Sequence, residues 1–251
     1  LKNNIHVFCE KPPGRSVNDI KRVIKEEKKR KNIKLKYGFN HRYHDSIQHA
    51  KKIIDSGKYG KMLNFRGIYG KSVIIPFTGE WRSKRKEAGG GILLDQGIHM
   101  IDILLYFSDT FDEVKSFISN DYWKHDVEDN AYIIMRDKIG RIAMIHSTAT
   151  EWQHKFRLEI TLEKALIELS GILSSSKSYG DEKFKLIKRT KKLSNSKNKL
   201  EMKFESDNSW KNEVDEFANI IRFNKKVLNG NSNDALKVME LIKKIYNSDT
   251  L

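Results

Sequence analysis

A glycine run that feeds straight into a helix apolar on every side constrains this chain more than any other feature. The stretch is Ala88-Gly89-Gly90-Gly91-Ile92-Leu93-Leu94-Asp95-Gln96-Gly97-Ile98-His99-Met100-Ile101-Asp102. Leu94, Ile98, Ile101 and Leu105 recur at helical spacing, and Met100, Ile103, Leu104 and Phe107 make the remaining sides apolar too. Such a helix has to lie inside the fold. Asp95, His99 and Asp102, which the helical period places on one stripe, must then be satisfied by partners or used for chemistry. A carboxylate beside an imidazole fixes its tautomer and can raise its pKa, which suits a general base near neutral pH. The competing reading is a core histidine satisfied by its neighbouring aspartate. A spacing of four also suits two metal ligands, but zinc needs a third from the protein, and no cysteine cluster or second histidine motif supplies one, so no metal is expected.

The chain has 251 residues, enough to bury a sizeable core as one large domain or one and a fraction. Lys and Arg number 48 against 33 Asp and Glu, a formal net charge of +15, which raises nucleic acid as a partner. The basic residues are mostly lysines spread along the whole chain. Their densest runs, Lys25 to Lys36 and Lys185 to Lys192, carry no interleaved aromatic platform for bases. A solvated lysine surface, focused if anywhere on an anionic substrate or cofactor, is therefore the expectation, with nucleic acid unlikely as a partner. A single cysteine, Cys9, excludes an internal disulfide and suits a reducing compartment, so a cytoplasmic location is expected. No apolar run approaches the roughly 18 residues that would span a membrane, and no membrane partner is expected. The chain opens on Leu1, which reads as an incomplete or processed start and leaves targeting undetermined.

In chain order, Asn4 to Cys9 reads as a short buried strand, and Glu10-Lys11-Pro12-Pro13-Gly14 ends it in a turn that presents Glu10 and Lys11. Ser16 with Asp19 makes a capping-box start for a helix over 17–31, and Ile33 to Phe39 alternates as a second strand. Strand, helix and strand form a parallel, right-handed unit, the tail of a doubly wound sheet whose ligands lie beyond the strand ends, where Glu10, Lys11 and Asn40 fall. A helix over 45–56 follows. His41, His44 and His49 read as surface or packing residues and not as a metal cluster. Strands are expected over 63–69, 71–77, 113–119, 131–137, 141–150, 156–162 and 165–170. Turns at Asp137-Lys138-Ile139-Gly140 and Glu163-Lys164 point to a largely antiparallel sheet. A polar loop over 174–178, weaker strands over 184–188 and 200–204, and amphipathic helices over 210–223 and 234–246 close the chain.

Three pieces in this order, Glu10-Lys11-Pro12 after a strand, Trp81-Arg82 before the glycine run, and Gly-Gly-Gly-x-Leu-x-Asp-x-Gly-x-His-x-x-Asp, together resemble the Gfo/Idh/MocA oxidoreductases, named for glucose-fructose oxidoreductase and inositol dehydrogenase. The resemblance covers essentially the whole chain. It implies an α/β plus α+β architecture. Residues 1–40 would be the C-terminal remnant of a Rossmann doubly wound sheet. Residues 41–251 would form a substrate-binding and oligomerisation domain, a large mostly antiparallel open sheet with helices on one face and a last helix that packs back on the Rossmann part. The implied activity is hydride transfer between NAD or NADP and a hydroxyl-bearing carbon of a sugar, sugar nucleotide or cyclitol, in a homo-oligomer joined through the open sheet face. By motif, Lys11, Asp95 and His99 match the catalytic lysine, acid and histidine. Glu10, Lys11, Pro12 and Arg82 fall at the cofactor, and Lys11, Asn40, Asp95 and His99 at the substrate.

The chain departs from that pattern in one respect. It holds no Gly-x-Gly-x-x-Gly between a strand and a helix, and no acidic residue about 20 positions beyond one for the ribose. The expectation is that the first part of the nucleotide domain is missing from this sequence. Two other readings compete: a truncated, redox-inactive sugar-binding or oligomerisation module of the same fold, and a basic nucleic-acid-binding protein.

Overall fold

The computed structural model describes residues 1–74, 80–174, 178–190 and 198–249. Strand β1 (Val7–Glu10), helix α1 (Val17–Glu27) and strand β2 (Leu35–Gly38) form a parallel two-stranded unit, with Val7 opposite Leu35 and Glu10 opposite Gly38. Ser16 caps α1 as its spacing predicts: its hydroxyl accepts from the Asp19 amide while the Asp19 carboxylate accepts from the Ser16 amide. The helix stops at Glu27 and not Lys31, since continuing through Lys28-Lys29-Arg30-Lys31 would stack like charges along an exposed face. Strand β1 likewise starts three residues later than its apolar pattern suggests.

After a 3₁₀ turn (Asn40–Tyr43) and helix α2 (Asp45–Asp55), strand β3 (Met62–Ser72) runs without a break through what the alternation reads as two strands. The expected residues 75–77 lie outside the described residues, as does part of the polar loop over 174–178. The short helix α3 (Arg85–Ala88) and a π-helical turn (Leu93–Gly97) lead into α4 (Ile98–Phe107). The remaining strands are β4 (Glu113–Ser119), β5 (Asn130–Arg136), β6 (Ile142–Glu151), β7 (Lys155–Leu162), β8 (Ala165–Ser170), β9 (Glu182–Lys188) and β10 (Lys199–Phe204). Helices α5 (Ser209–Arg222) and α6 (Ser232–Ser248) close the chain.

These strands make one eight-stranded sheet in the order β10-β9-β8-β7-β3-β6-β5-β4. It is mixed, not uniformly antiparallel: β3 inserts between β7 and β6 and runs parallel to β6, with Phe65 opposite Ala143. Period-two alternation sorts the faces. In β5, Ala131, Ile133 and Met135 turn inward, whereas Tyr132 and Ile134 stay exposed. One hydrophobic cluster runs from Ile20 and Tyr37 in the small unit, through Met100, Ile101 and Leu104 of α4 and Val238 and Ile242 of α6, to Ile133, Leu158 and Ile167 of the sheet. Helix α6 touches α1, β2, α4 and β4, and Gly230 before it accepts a hydrogen bond from the Tyr37 amide at 2.7 Å. The stretch Arg85–Phe107 is long and apolar enough to cross a membrane by composition, and most of it is buried inside this fold.

Candidate active site

The glycine run lets the chain pass close to its neighbours. Gly89 ends α3 in the left-handed region (φ 89°), and a Cβ at Gly91 would lie 2.1 Å from the Glu128 carbonyl oxygen. The Glu128 carboxylate reaches back to accept from the amides of Gly91 (2.8 Å) and Leu93 (3.1 Å) and from the Tyr246 hydroxyl (2.8 Å). A residue from just before β5 thus satisfies the free amides that open the buried helix. The run serves backbone packing here.

Four pieces of chain converge beyond the ends of β1 and β2. From β1, Lys11 sends its ammonium group to the main-chain carbonyl of Asp95 and, at 3.3 Å, to the Asp95 Oδ1. From the turn after β2 comes His41, whose ring lies face to face with that of His99 on α4, centroids 3.7 Å apart. From β3, the Tyr69 hydroxyl meets His41 Nε2 at 3.1 Å. From the segment before β9, Tyr179 packs edge-on against Tyr69 and donates to Gln96 Oε1 at 3.2 Å.

Asp95 and His99 do not pair with one another. The π-helical turn rotates Asp95 toward Lys11, and His99 is buried against His41 with its Nδ1 lacking any hydrogen-bond partner among the described residues. Asp102, three residues beyond His99 on α4, is fully buried and holds the Arg42 guanidinium, next in sequence to His41, through two hydrogen bonds of 2.8 and 2.6 Å. Burial pushes the Asp102 carboxyl up, against the pull of Arg42. His99 shifts in the opposite sense from the sequence expectation. Burial first, then the charges of Lys11 and His44, hold its pKa well below that of a free imidazole, and His41 is depressed for the same leading reason. Both rings are neutral at pH 7.

Of the other sequence candidates, Glu10 ends β1 beside Gly38, its carboxyl raised by partial burial. Pro12 follows Lys11 through a cis peptide. Asn40 is buried and occupied: its Oδ1 accepts from His41 Nδ1 at 3.0 Å and its Nδ2 reaches the Ser209 hydroxyl at 3.4 Å, so it orients an imidazole rather than standing open to a ligand. Arg82 lies over the Trp81 ring, 4.4 Å from its centroid, and its charge acts on Lys71, which in turn lies within the field of Asp95. His41 was legible only as a packing residue, because nothing in the spacing of Asn40-His41-Arg42-Tyr43 shows that the turn aims one imidazole at α4. His44 is buried as well, bonded to Glu182 Oε2 at 2.8 Å and set edge-on to His41. Among the described residues, no group of three histidine, cysteine or acidic side chains could hold a metal ion.

This arrangement can position a hydroxyl-bearing carbon. It places a cation and a carboxylate side by side, next to a neutral imidazole with an orphaned nitrogen of the kind that a bound hydroxyl satisfies.

A family model described as the GFO/IDH/MocA C-terminal domain matches residues 47–168. A levoglucosan dehydrogenase of Pseudarthrobacter phenanthrenivorans is 34% identical over 118 residues, covering 45% of this chain and 30% of that protein. A myo-inositol 2-dehydrogenase of Thermotoga maritima is 27% identical over 183 residues, 70% of this chain and 53% of that one. The chain thus spans about half or less of the length of these two relatives. Among solved structures, a levoglucosan dehydrogenase in complex with NADH and levoglucosan superposes with a TM-score of 0.83 at 20% identity, over 98% of this chain and 72% of that one, a likeness of fold.

Proposed function

We propose that this chain, whose residues 47–168 match the GFO/IDH/MocA C-terminal domain, is an oxidoreductase of that family and serves reversible hydride transfer between NAD or NADP and a hydroxyl-bearing carbon of a sugar, sugar nucleotide or cyclitol. The observation that carries this reading is the meeting of Lys11 and Asp95 beside the buried, neutral His99. In this reading residues 1–40 are the end of a Rossmann unit, and residues 41–251 hold substrate and make the contact between copies.

The residues fit the reacting end of a nicotinamide cofactor. The ends of two parallel strands deliver a lysine and a histidine to one place, next to an imidazole nitrogen left without a partner. The sequence contains no glycine-rich fingerprint for the pyrophosphate. When bound, the cofactor supplies the hydride acceptor or donor. The chain supplies alignment and proton transfer. Lys11, fixed by two oxygens of Asp95, places positive charge where alkoxide character develops, and Asp95 has lone pairs left to accept from a neighbouring hydroxyl. His99, unprotonated at neutral pH, accepts the proton of the reacting hydroxyl and returns it in the reverse direction.

The test is oxidation of a panel of sugars and cyclitols by the full-length gene product, with millimolar NAD or NADP and nicotinamide absorbance as readout. His99→Ala should lower kcat by about 10²- to 10⁴-fold, the usual worth of a positioned acid or base. A folded His99→Ala protein with parental turnover would remove His99 from the mechanism. Absence of turnover with every substrate would leave a sugar-binding or oligomerisation role.

A further inference from the structure

Trp152 sits in the turn between β6 and β7, is 80% exposed, and borders a concavity of about 510 Å³. One exposed tryptophan is unremarkable by itself. Three observations make this one part of a built surface.

The turn that carries it is fixed. The buried Ser72 at the end of β3 donates its hydroxyl to the Trp152 carbonyl at 3.0 Å and accepts from the Ile74 amide at 3.2 Å, while the Val73 amide bonds the Glu151 carbonyl at 2.8 Å. The polar groups beside the indole are uncharged donors. The Ser72 amide donates to His154 Nδ1 at 3.4 Å, which leaves the ring proton on Nε2. Burial and then the Lys71 charge lower the His154 pKa, so the ring is neutral at pH 7. Gln153 adds its amide. Among the described residues, no lysine or arginine lines the concavity. Finally, Tyr179 is a wall shared with the candidate active site. It packs edge-on against His154 on one side, centroids 4.6 Å apart, and against Tyr69 on the other, at 5.2 Å. Its hydroxyl donates to Gln96, the residue after Asp95.

An aromatic face set next to neutral hydrogen-bond donors matches a pyranose, whose C–H face is apolar and whose rim is hydroxylated. We propose that the concavity holds a second, uncharged sugar ring stacked on Trp152, so that the substrate is a glycoside whose first ring is presented to Lys11, Asp95 and His99. The placement of that first ring rests on the oxidoreductase reading. A diphosphate-linked nucleoside suits the described lining less well, since none of those residues is a cation for phosphate.

Calorimetric titration of the 251-residue chain, without cofactor, tests the proposal. The probes are a panel of α- and β-linked gluco-, galacto- and manno-disaccharides, each compared with the methyl glycoside of its reacting sugar, plus uridine diphosphate. At least one disaccharide should bind about tenfold more tightly than its methyl glycoside, the worth of a stacked ring. Trp152→Ala should abolish that difference while leaving methyl-glycoside affinity unchanged, and Trp152→Phe should keep part of it. The indole is exposed, and among the described residues only the Trp152 main chain is bonded, so these variants should melt with the parent. The proposal is overturned if no disaccharide outbinds its methyl glycoside, if Trp152→Ala weakens both equally, or if only uridine diphosphate depends on Trp152. Failure of turnover with nicotinamide cofactors would sink the oxidoreductase reading separately, because these titrations contain no cofactor.

Discussion

The imidazoles of His41 and His99 stack with their planes 13° apart, and only His41 has both nitrogens engaged, by Asn40 and Tyr69. The pair therefore joins a ring fixed in tautomer and orientation to one whose Nδ1 lacks a partner. Lys11, His44 and Tyr69 face the same pair.

A pH dependence of stability follows. Both rings have folded pKa values below the unfolded value of about 6.5, so the unfolded chain binds more protons as the pH falls. Stability is fully present above the unfolded pKa and declines below it, by up to about 1.4 kcal/mol per pH unit for each histidine. His41→Phe keeps a flat ring but removes one of the titrating groups. It should unfold more easily than the parent at pH 7.5, because Asn40 and Tyr69 each lose a partner, yet show a shallower decline between pH 6.5 and pH 5. Urea unfolding across that range checks both effects. A slope equal to the parent's would mean that His41 protonates in the fold as freely as in the unfolded chain.

Lys11 and Asp95 are both partly open to solvent, so their exchange should touch function more than stability. Lys11→Ala should lower kcat/KM by about 10²- to 10³-fold, the range for loss of one group that stabilises developing charge. Asp95→Asn keeps the main-chain carbonyl that Lys11 also uses, and should give a smaller loss. Melting points within a few degrees of the parent are expected. A large drop in melting temperature without loss of turnover per folded molecule would make the pair a structural contact.

Arg42 and Asp102 should behave in the opposite way. Arg42 is buried, bonded twice to Asp102 and once to Asp234 at 2.9 Å. Asp102→Ala strands most of that guanidinium in the core, and should cost about 3–5 kcal/mol of stability. Chemical denaturation measures it. A loss below 1 kcal/mol would show that Asp234 or water takes over.

The outer face of the sheet exposes Phe117, Tyr132, Ile134 and Met144 along β4, β5 and β6, with Tyr132 stacked on His146. A face this apolar calls for a partner, and a second copy of the chain is the expected one. Sedimentation at tens of micromolar should give an oligomer, and Ile134→Lys, which sets a charge in the middle of the patch, should give a monomer of unchanged melting profile. A monomeric parent would rule this face out as a self-association surface.

Sequence reasoning read the sheet well and the site in part, for physical reasons. Strands such as Glu113–Ser119 and Ala165–Ser170 match their alternation because one face is more deeply buried than the other, which a period of two records directly. The parallel pairing of β3 with β6 leaves no such trace, since alternation is the same for either strand direction. Lys11 and Asp95 stand in motifs, and the fold brings them together. The partner of His99 could not be read, because an α-helical ruler laid over Leu93–Gly97 misses the wider turn there. Glu128, which caps that helix from 37 residues away, has no local signature at all.

The central place of β3 has a consequence for how the molecule is made. This strand leaves the ribosome before either of its neighbours, since β6 and β7 are encoded only after α4, β4 and β5. Until they arrive its main-chain groups are unpaired on both sides, and β4 and β5 can form only a hairpin at what will become one edge. Closure of the sheet is thus a late, long-range event, and nascent chains halted between β5 and β7 are the ones most exposed to mispairing.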